Sequence, residues 1–295
     1  MSDNLYNSPE SNITPPTTGN GDSVKRPAGA GVQWLKEAVN YFGASPGVWI
    51  GSILIVGAIF IILSLIPVVS LLVNILGPVI SGGYMYACHQ LKKNQQFRID
   101  FIFKGFNEKL APLAIVGLLY LAGIIGIMIC SVILFVSLGL IDKEILENLD
   151  NLQNISPDRL IPMIALPLLV AFGLMIPLLM AYWFAPALVM LRDVAPLEAM
   201  KISFRACLLN MVPFLIYGLV GFGCLLVFGI IISIIGAIIS FLIIPIVIIA
   251  YLIFICIMIA SVYTSFEDIF PEPEADRQEH EVESSGPDNT DSMIA

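Results

Sequence analysis

Long stretches without a charged residue dominate the hydrophobic pattern of the chain. Four of them contain no Asp, Glu, Lys or Arg and cover residues 46–91, 110–141, 160–191 and 206–266. Because a transmembrane helix needs about 20 consecutive apolar residues, the first and last stretches each have room for two helices. The pattern therefore predicts six transmembrane helices, with breaks near Pro67 or Ser70 and between Ser233 and Ser240. The predicted spans are residues 47–66, 70–91, 112–139, 162–190, 212–234 and 240–265.

A short amphipathic segment precedes each odd-numbered span. Its apolar residues recur at helical spacing on one face. They are Val32, Leu35, Val39 and Phe42 in the first segment, Ile99, Ile102, Phe106 and Leu110 in the second, and Leu197, Met200, Phe204, Leu208 and Met211 in the third. Basic residues flank each face, so we expect three short helices in the cytoplasmic interface, with Lys104, Lys201 and Arg205 reaching towards lipid headgroups.

A proline followed five residues later by a glycine marks the start of each odd-numbered span. The pairs are Pro46 with Gly51, Pro112 with Gly117, and Pro213 with Gly218. Proline is well tolerated in a first helical turn, and glycine lets a neighbouring membrane helix approach closely, so we interpret these as turn and helix-packing positions. The pattern predicts three parallel repeats, each an interfacial helix plus a helical hairpin. Pro78 and Gly83 share the spacing without beginning a span, so coincidence is the alternative.

Charged residues are few and unevenly placed. Only 13% of the 295 residues are charged and 58% are hydrophobic, whereas a soluble domain has about 25% charged residues, which excludes a soluble enzyme. With six spans, twelve of the fourteen Lys and Arg residues lie on the side of the termini, so the positive-inside rule places both termini in the cytoplasm. The net charge of -9 arises from residues 267–295. We expect a disordered polar tail at 1–27, a six-helix domain at 28–266 and a disordered acidic tail at 267–295.

Candidate reactive groups are scarce. No charged residue lies in a predicted span, which argues against proton-coupled transport. His89 and His280 have no further ligand at a metal-site spacing, and the five cysteines, without a CxxC pair, are typical of apolar packing residues. The sequence thus predicts no catalytic residue, no metal site, no cofactor and no nucleic-acid partner. Four prolines of the fourth span are interpreted as kinks, namely Pro162, Pro167, Pro177 and Pro186.

Several short phrases between about residues 30 and 270 combine aromatic residues with glycine and proline. They are Tyr41-Phe42 with Pro46 and Trp49; Gly77-Pro78 with Gly82-Gly83; Phe103 to Phe106; Trp183 to Val189; Pro196, Glu198 to Met200, Ser203 and Asn210; and Tyr263 to Phe266 with Asp268 to Phe270. In these phrases the chain resembles a family of uncharacterised bacterial six-helix integral membrane proteins. It is also distantly similar to the membrane domain attached to some glycerophosphodiester phosphodiesterases. The resemblance implies an inner-membrane protein without an established activity, and Phe266 stands where that family usually has tyrosine.

The sequence favours two functional classes. The first is a non-enzymatic scaffold or lipid-interacting protein of the bacterial inner membrane, because basic interfacial helices can hold anionic headgroups and the acidic tail can bind a cytoplasmic protein. The alternative is a facilitator or channel for a small uncharged solute, since parallel repeats can enclose a pore without ionisable groups. An enzyme acting on lipid would need a convergent polar cluster that no sequence spacing indicates. The sequence leaves the oligomeric state open.

Overall fold

Every regular element that the structure describes is an α-helix. The computed structural model describes residues 22–93, 96–137, 157–238 and 243–271, so most of both predicted tails lies outside the described residues. The helices are α1 (Ala30–Ala44), α2 (Pro46–Ser64), α3 (Pro67–Lys92), α4 (Ile99–Ile102), α5 (Lys104–Glu108), α6 (Leu110–Ser137), α7 (Pro157–Trp183), α8 (Ala185–Arg192), α9 (Pro196–Leu209), α10 (Met211–Ile238) and α11 (Ile243–Ile269). The prediction of an all-helical protein is confirmed for these ranges.

Five stretches of the described helices are long and apolar enough to cross a membrane. They are Pro46–Ser64, Leu110–Leu134, Ala165–Arg192, Met211–Ile234 and Ile244–Ile269. Helix α3, which carries the predicted second span, is not among these five. The side chains of residues 67–74, at the start of α3, lie outside the described part of the chain. Apolar length therefore identifies five spans in the described ranges and does not confirm the predicted six.

The bundle is tightly packed at one end and open at the other. Buried side chains such as Trp34, Met85, Leu113, Leu188 and Phe266 come from α1, the last half of α3, the start of α6, α8 and the end of α11. We call this region the packed end. In α10, by contrast, all residues from 224 to 231 are exposed, so no face of that part of the helix is covered by the described chain. We call the region formed by the opposite ends of the spans the open end.

Each amphipathic segment packs mainly against helices that do not follow it directly in the chain. Helix α1 lies on α10 and α11, the α4–α5 segment lies on α3 and touches α2, and α9 lies on α7 and α6. Two of these contacts need glycine. A Cβ atom on Gly83 would overlap the backbone carbonyl of Ile102, and one on Gly31 would overlap that of Pro213. The segments therefore pack closely against the backbone of the bundle, whereas the sequence predicted only that they lie in the membrane interface.

A serine side chain sustains the break between α7 and α8. Pro186, in the first turn of α8, is one of the prolines predicted to cause a kink. The Ser203 hydroxyl of α9 accepts a hydrogen bond from the Phe184 N–H at 2.9 Å and donates one to the Met180 carbonyl at 2.7 Å. In a continuous helix those two backbone groups would bond to each other. The Ser203 hydroxyl thus replaces one backbone hydrogen bond of a continuous helix and stabilises the kink.

Replacing Ser203 by alanine is expected to lower the free energy of unfolding by about 1 to 3 kcal/mol, because the Phe184 N–H loses its partner and the Met180 carbonyl keeps only the weak bond from Cys207 Sγ at 3.6 Å. Unfolding by SDS in mixed micelles measures the change. Ser265→Ala is the matched control, since buried Ser265 bonds, among the described residues, only to the Val262 carbonyl of its own helix. Equal effects of the two substitutions would contradict the assigned role.

Candidate functional site

Two neighbouring acidic residues at the end of α11, Glu267 and Asp268, organise a group of polar contacts at the packed end. The sequence assigned both to the disordered acidic tail from residue 267, but α11 continues to Ile269. Phe266, Ile269 and Phe270 are buried around them, and cations from distant parts of the chain neutralise both carboxylates. Burial of the apolar neighbours and pairing of the charges thus extend the ordered bundle beyond the predicted boundary.

Glu267 faces α3. It forms an ion pair with Lys92, and its carboxylate accepts a hydrogen bond of 2.7 Å from the Tyr263 hydroxyl one turn earlier. His89 Nδ1 lies 3.2 Å from the Tyr263 hydroxyl and 3.9 Å from Glu267 Oε1. The Glu267 side chain is only 19% exposed, so Lys92 and the hydroxyl together satisfy a nearly buried charge. His89, interpreted from the sequence as a lone interfacial residue, belongs to this cluster.

Tyr41 covers the cluster from α1. Its ring centroid lies 5.5 Å from that of Tyr263, and its backbone carbonyl accepts a hydrogen bond of 3.1 Å from Trp49 Nε1. Burial, followed by the negative charge of Glu267, raises the pKa of the Tyr41 phenol above its ordinary value. The phenol therefore stays neutral at physiological pH and acts as a packing and hydrogen-bonding group.

Asp268 faces the opposite direction, towards α1 and the segment before it. Its carboxylate accepts hydrogen bonds from Trp34 Nε1 at 2.8 Å and pairs with Arg26 Nε at 2.9 Å. Arg26 Nε also donates to the Asp268 backbone carbonyl at 2.8 Å. We call residues 22–29 the N-terminal strap. Most of it belongs to the predicted disordered tail at 1–27, yet the Arg26 contacts anchor it to the bundle.

Asn210, at the end of α9, binds the backbone of the N-terminal strap. The buried Asn210 side chain accepts a hydrogen bond from the Arg26 N–H at 2.8 Å and donates one to the Val24 carbonyl at 3.0 Å. The Val24 N–H in turn donates to the Ile269 carbonyl at 2.9 Å. Three elements that are far apart in the sequence therefore meet at the strap.

The carboxylates of the cluster, Glu267 and Asp268, are each held in an ion pair with a cation. Within the four described ranges, no group of His, Cys, Asp and Glu residues has the geometry of a metal site. The five cysteines form no disulfide. Burial raises the pKa of Cys207 to about 12, so its side chain is a neutral thiol at physiological pH. The arrangement is suited to anchoring helices and binding chain segments.

The three predicted headgroup contacts lie apart from this cluster. Lys104 pairs with Glu108 at 3.0 Å, and Lys201 pairs with Glu198 at 3.4 Å. The hydrogen bond to Glu108, followed by the charge of Glu108, raises the pKa of Lys104. Arg205 is exposed and has no ion pair in the part of the chain that the structure describes. Lys104 and Lys201 therefore each have a carboxylate that competes with a lipid phosphate.

The predicted turn and packing positions differ among the three copies. Pro46 is the first residue of α2, and Pro112 and Pro213 are the third residues of α6 and α10. A Cβ on Gly117 would lie 2.6 Å from the Ile75 carbonyl, but Cβ atoms on Gly51 and Gly218 would meet no described atom within 4 Å. The close-packing role of Gly51 and Gly218 therefore stays a prediction, with no described atom near enough to support it.

Sequence reasoning did not predict the contacts around Glu267 and Asp268, although Tyr263 and Asp268 stand in a phrase that carries the resemblance. Arg26 and Asp268 are 242 positions apart, and no spacing rule connects them. The pair of Tyr263 and Glu267, four residues apart on one helix, was the one local signal for the cluster. The phrases around Gly83 and Phe103 carry part of the family resemblance. In the structure these two segments touch at the close contacts of Gly83 and Gly105.

The chain is similar to a probable inner membrane protein of Burkholderia thailandensis, with 29% identity over 199 residues. The match covers 66% of this chain and 73% of the relative. No protein-family model matches the chain, and no solved structure matches it. The similarity to the membrane domain attached to some glycerophosphodiester phosphodiesterases stays a prediction. Together with the long apolar helices, the relative identifies the chain as a multi-pass transmembrane protein similar to an inner membrane protein.

Proposed function

We propose that this protein is a non-enzymatic, lipid-interacting scaffold of a bacterial inner membrane. The contrast between the packed end and the open end carries the proposal. At the open end, apolar residues such as Ile230, Ile234, Ile244 and Ile248 have 53 to 68% of their surface exposed. Since these residues lie in candidate spans, hydrocarbon chains of lipids cover them. Contacts at the packed end hold the helices together, and the exposed apolar side chains at the open end bind lipid.

Six crossings, with both termini in the cytoplasm, are part of this proposal. The bond between Val24 and Ile269 and the ion pair between Arg26 and Asp268 place the start and the end of the bundle side by side. A chain whose two ends meet on one side of a membrane crosses it an even number of times. Helix α3, with 26 residues, is about 39 Å long and can supply the sixth crossing. The positive-inside rule then favours the cytoplasm for the packed end.

Three parallel repeats are supported by the order of contacts. The second amphipathic segment packs on the first pair of spans, the third segment packs on the second pair, and the first segment packs on the third pair. Such a cyclic order is expected when three equivalent units surround an axis along the membrane normal. Local Pro and Gly spacing is a weaker argument, because Gly51 and Gly218 make no close contact with described atoms.

A groove between α10 and α11 supports lipid binding. A hydrogen bond of 2.7 Å between the Tyr217 and Ser261 hydroxyls joins the two helices near the packed end. Towards the open end lies an apolar groove of about 390 Å³, lined by residues that include Phe228, Gly229 and Phe254. This volume falls within the usual range of small-molecule sites. The groove opens laterally within two candidate spans, so an acyl chain is the occupant that we propose.

Lipid retention tests the proposal. Native mass spectrometry of the protein after detergent extraction should detect bound phospholipid, and Gly229→Trp should reduce it by filling the groove. Gly57→Trp on α2 is the matched control, because a Cβ on either glycine meets no described atom within 4 Å. A wild-type chain that retains no lipid but transports glycerol in proteoliposomes would overturn the proposal and favour a facilitator.

Neutralising Arg205 is expected to reduce the preference for anionic lipid more than neutralising Lys104. An unpaired cation near an anionic surface contributes about 1 kcal/mol, whereas Lys104 already shares its charge with Glu108. The readout is the ratio of phosphatidylglycerol to phosphatidylcholine that co-purifies with Arg205→Gln and Lys104→Gln from a mixed bilayer. Equal losses, or a larger loss for Lys104→Gln, would remove Arg205 as the main headgroup contact.

The acidic residues at 272–295 are proposed as a tether for a basic cytoplasmic protein. Their charge and polar composition are typical of interaction tails. Co-purification from cells with the full chain and with a chain ending at residue 271 tests this part. An unchanged set of partners after truncation would contradict it without affecting the lipid-binding proposal.

A further inference from the structure

The N-terminal strap is bound in a slot that recognises its backbone. The slot consists of Asn210, Asp268 and Ile269. Asn210 bonds to the carbonyl of Val24 and to the N–H of Arg26, the two backbone groups that flank a single intervening residue. In a parallel β-ladder, one residue of the neighbouring strand binds the same pair of groups. The Asn210 amide thus acts as a substitute for a neighbouring strand, and the Ile269 carbonyl adds a bond to the Val24 N–H.

The slot binds the charged side chain of Arg26. Arg26 pairs with the Asp268 carboxylate at 2.9 Å and donates to the Asp268 carbonyl at 2.8 Å. Lys25, between the two bound residues, is exposed, and Val24 is half-buried. The slot therefore selects a segment that has an arginine two residues after an apolar residue.

The strap lies beside the contact between α1 and α11, two helices that no loop in the described part of the chain connects directly. The segment 93–98 connects α3 to the α4–α5 segment, and the segment 193–195 connects α8 to α9. Helix α1 packs on α10 and α11, but α1 and α11 are the first and last described helices, so no chain segment links them directly. The strap binds α11 through the bond between the Val24 N–H and the Ile269 carbonyl, and through Arg26, which donates to the Asp268 carbonyl and forms an ion pair with the Asp268 side chain; both side chains of the pair are 32% exposed. Two hydrogen bonds to Asn210 fix the strap to the end of α9.

We propose that the slot is a peptide-binding site, which the chain's own N-terminal strap fills in this structure and which accepts an arginine-containing peptide segment from outside when the strap leaves. Partly exposed ion pairs contribute little stability, so the strap is released more easily than the buried helices around it. As long as it is tethered, its effective concentration is in the millimolar range and it outcompetes a free segment. A partner segment that binds the slot displaces the strap and thereby alters the contact between α1 and α11.

A fluorescent peptide with the sequence of residues 20–30 tests the site on the full-length protein in detergent. The peptide should bind the Arg26→Ala protein at least about ten-fold more tightly than the wild type, because the weakened strap no longer competes. A peptide with Arg26→Ala should lose this binding, whereas a peptide with Lys25→Ala is the matched control and should keep it. Equal binding to both proteins, or no binding to the Arg26→Ala protein, overturns the proposal.

Hydrogen exchange of the wild-type protein provides a second test that requires no variant. The Val24 and Arg26 amides, bonded to Ile269 and Asn210, should exchange at least about ten-fold faster than the Phe270 amide, which bonds to the Phe266 carbonyl within the end of α11. Equal exchange rates would mean that the strap opens only together with the bundle, and they would refute an exchangeable strap.

Discussion

Replacing Gly83 by valine is expected to lower the free energy of unfolding by about 3 kcal/mol or more, the upper part of the range for overpacking. A Cβ at this position overlaps the backbone carbonyl of Ile102, and backbone cannot rotate away as a flexible side chain does. The reciprocal contact of Gly105 with the Val79 carbonyl shows that α3 and the α4–α5 segment touch backbone to backbone on both sides. The substitution should therefore separate the α4–α5 segment from α3.

Gly77→Val on the same helix is the control for this prediction. A Cβ on Gly77 would have its nearest contact at 3.8 Å, with the Tyr182 hydroxyl, which is ordinary van der Waals contact. Both variants gain similar helix propensity, so their difference isolates the overlap with Ile102. Unfolding by SDS in mixed micelles measures both, and similar stabilities for the two variants would show that the α4–α5 segment does not pack as described.

Replacing Trp34 by alanine is expected to cost about 3 to 5 kcal/mol, since the substitution removes a large, fully buried aromatic side chain. The Trp34 ring packs against Phe214 at a centroid distance of 5.1 Å and against Tyr217 at 6.3 Å. Its Nε1 donates to the Asp268 carboxylate at 2.8 Å. Loss of the ring thus opens a cavity between α1 and α10 and also removes a donor from Asp268.

Trp34→Phe separates the two contributions. Phenylalanine keeps most of the buried aromatic surface but has no N–H, so we expect a cost of about 1 to 3 kcal/mol from the lost hydrogen bond to the charged Asp268 carboxylate. Unfolding by SDS gives the ranking of wild type, Trp34→Phe and Trp34→Ala. If Trp34→Ala is no less stable than Trp34→Phe, α1 is not held to the bundle by packing of this ring.

The repeat pattern was visible in the sequence to a limited extent. Amphipathic faces before the odd-numbered spans predict short helices, and helices α1, α4, α5 and α9 stand at those positions. The predicted faces agree with the buried ones only in part, since Ile102 and Met200 are buried as expected. In α1 the predicted face contains Val39, which is 51% exposed, whereas the buried face carries Trp34 and Ala38. An apolar residue at helical spacing can face either lipid or protein, and hydrophobicity alone does not distinguish the two surroundings.

The candidate site was predictable only in its local parts. Acidic residues directly after the last apolar run suggested a solvated tail, because an unpaired charge avoids a buried position. Lys92 and Arg26 reverse that expectation by pairing with Glu267 and Asp268 inside the fold. The relevant information lies in the relative placement of residues more than 170 positions apart, which no local pattern in a single sequence specifies.

By itself, the sequence determined that this chain crosses a membrane, because uncharged runs of up to 61 residues, such as 206–266, have no other favourable solvent than lipid. It also determined that the chain is helical there, since backbone groups in lipid must be satisfied within each segment. Only the tertiary structure decided which acidic residues belong to the bundle, which glycines lie in close contacts and which segment Asn210 binds. Those features depend on which helices become neighbours, and in lipid that choice rests on close packing and specific polar pairs more than on hydrophobicity.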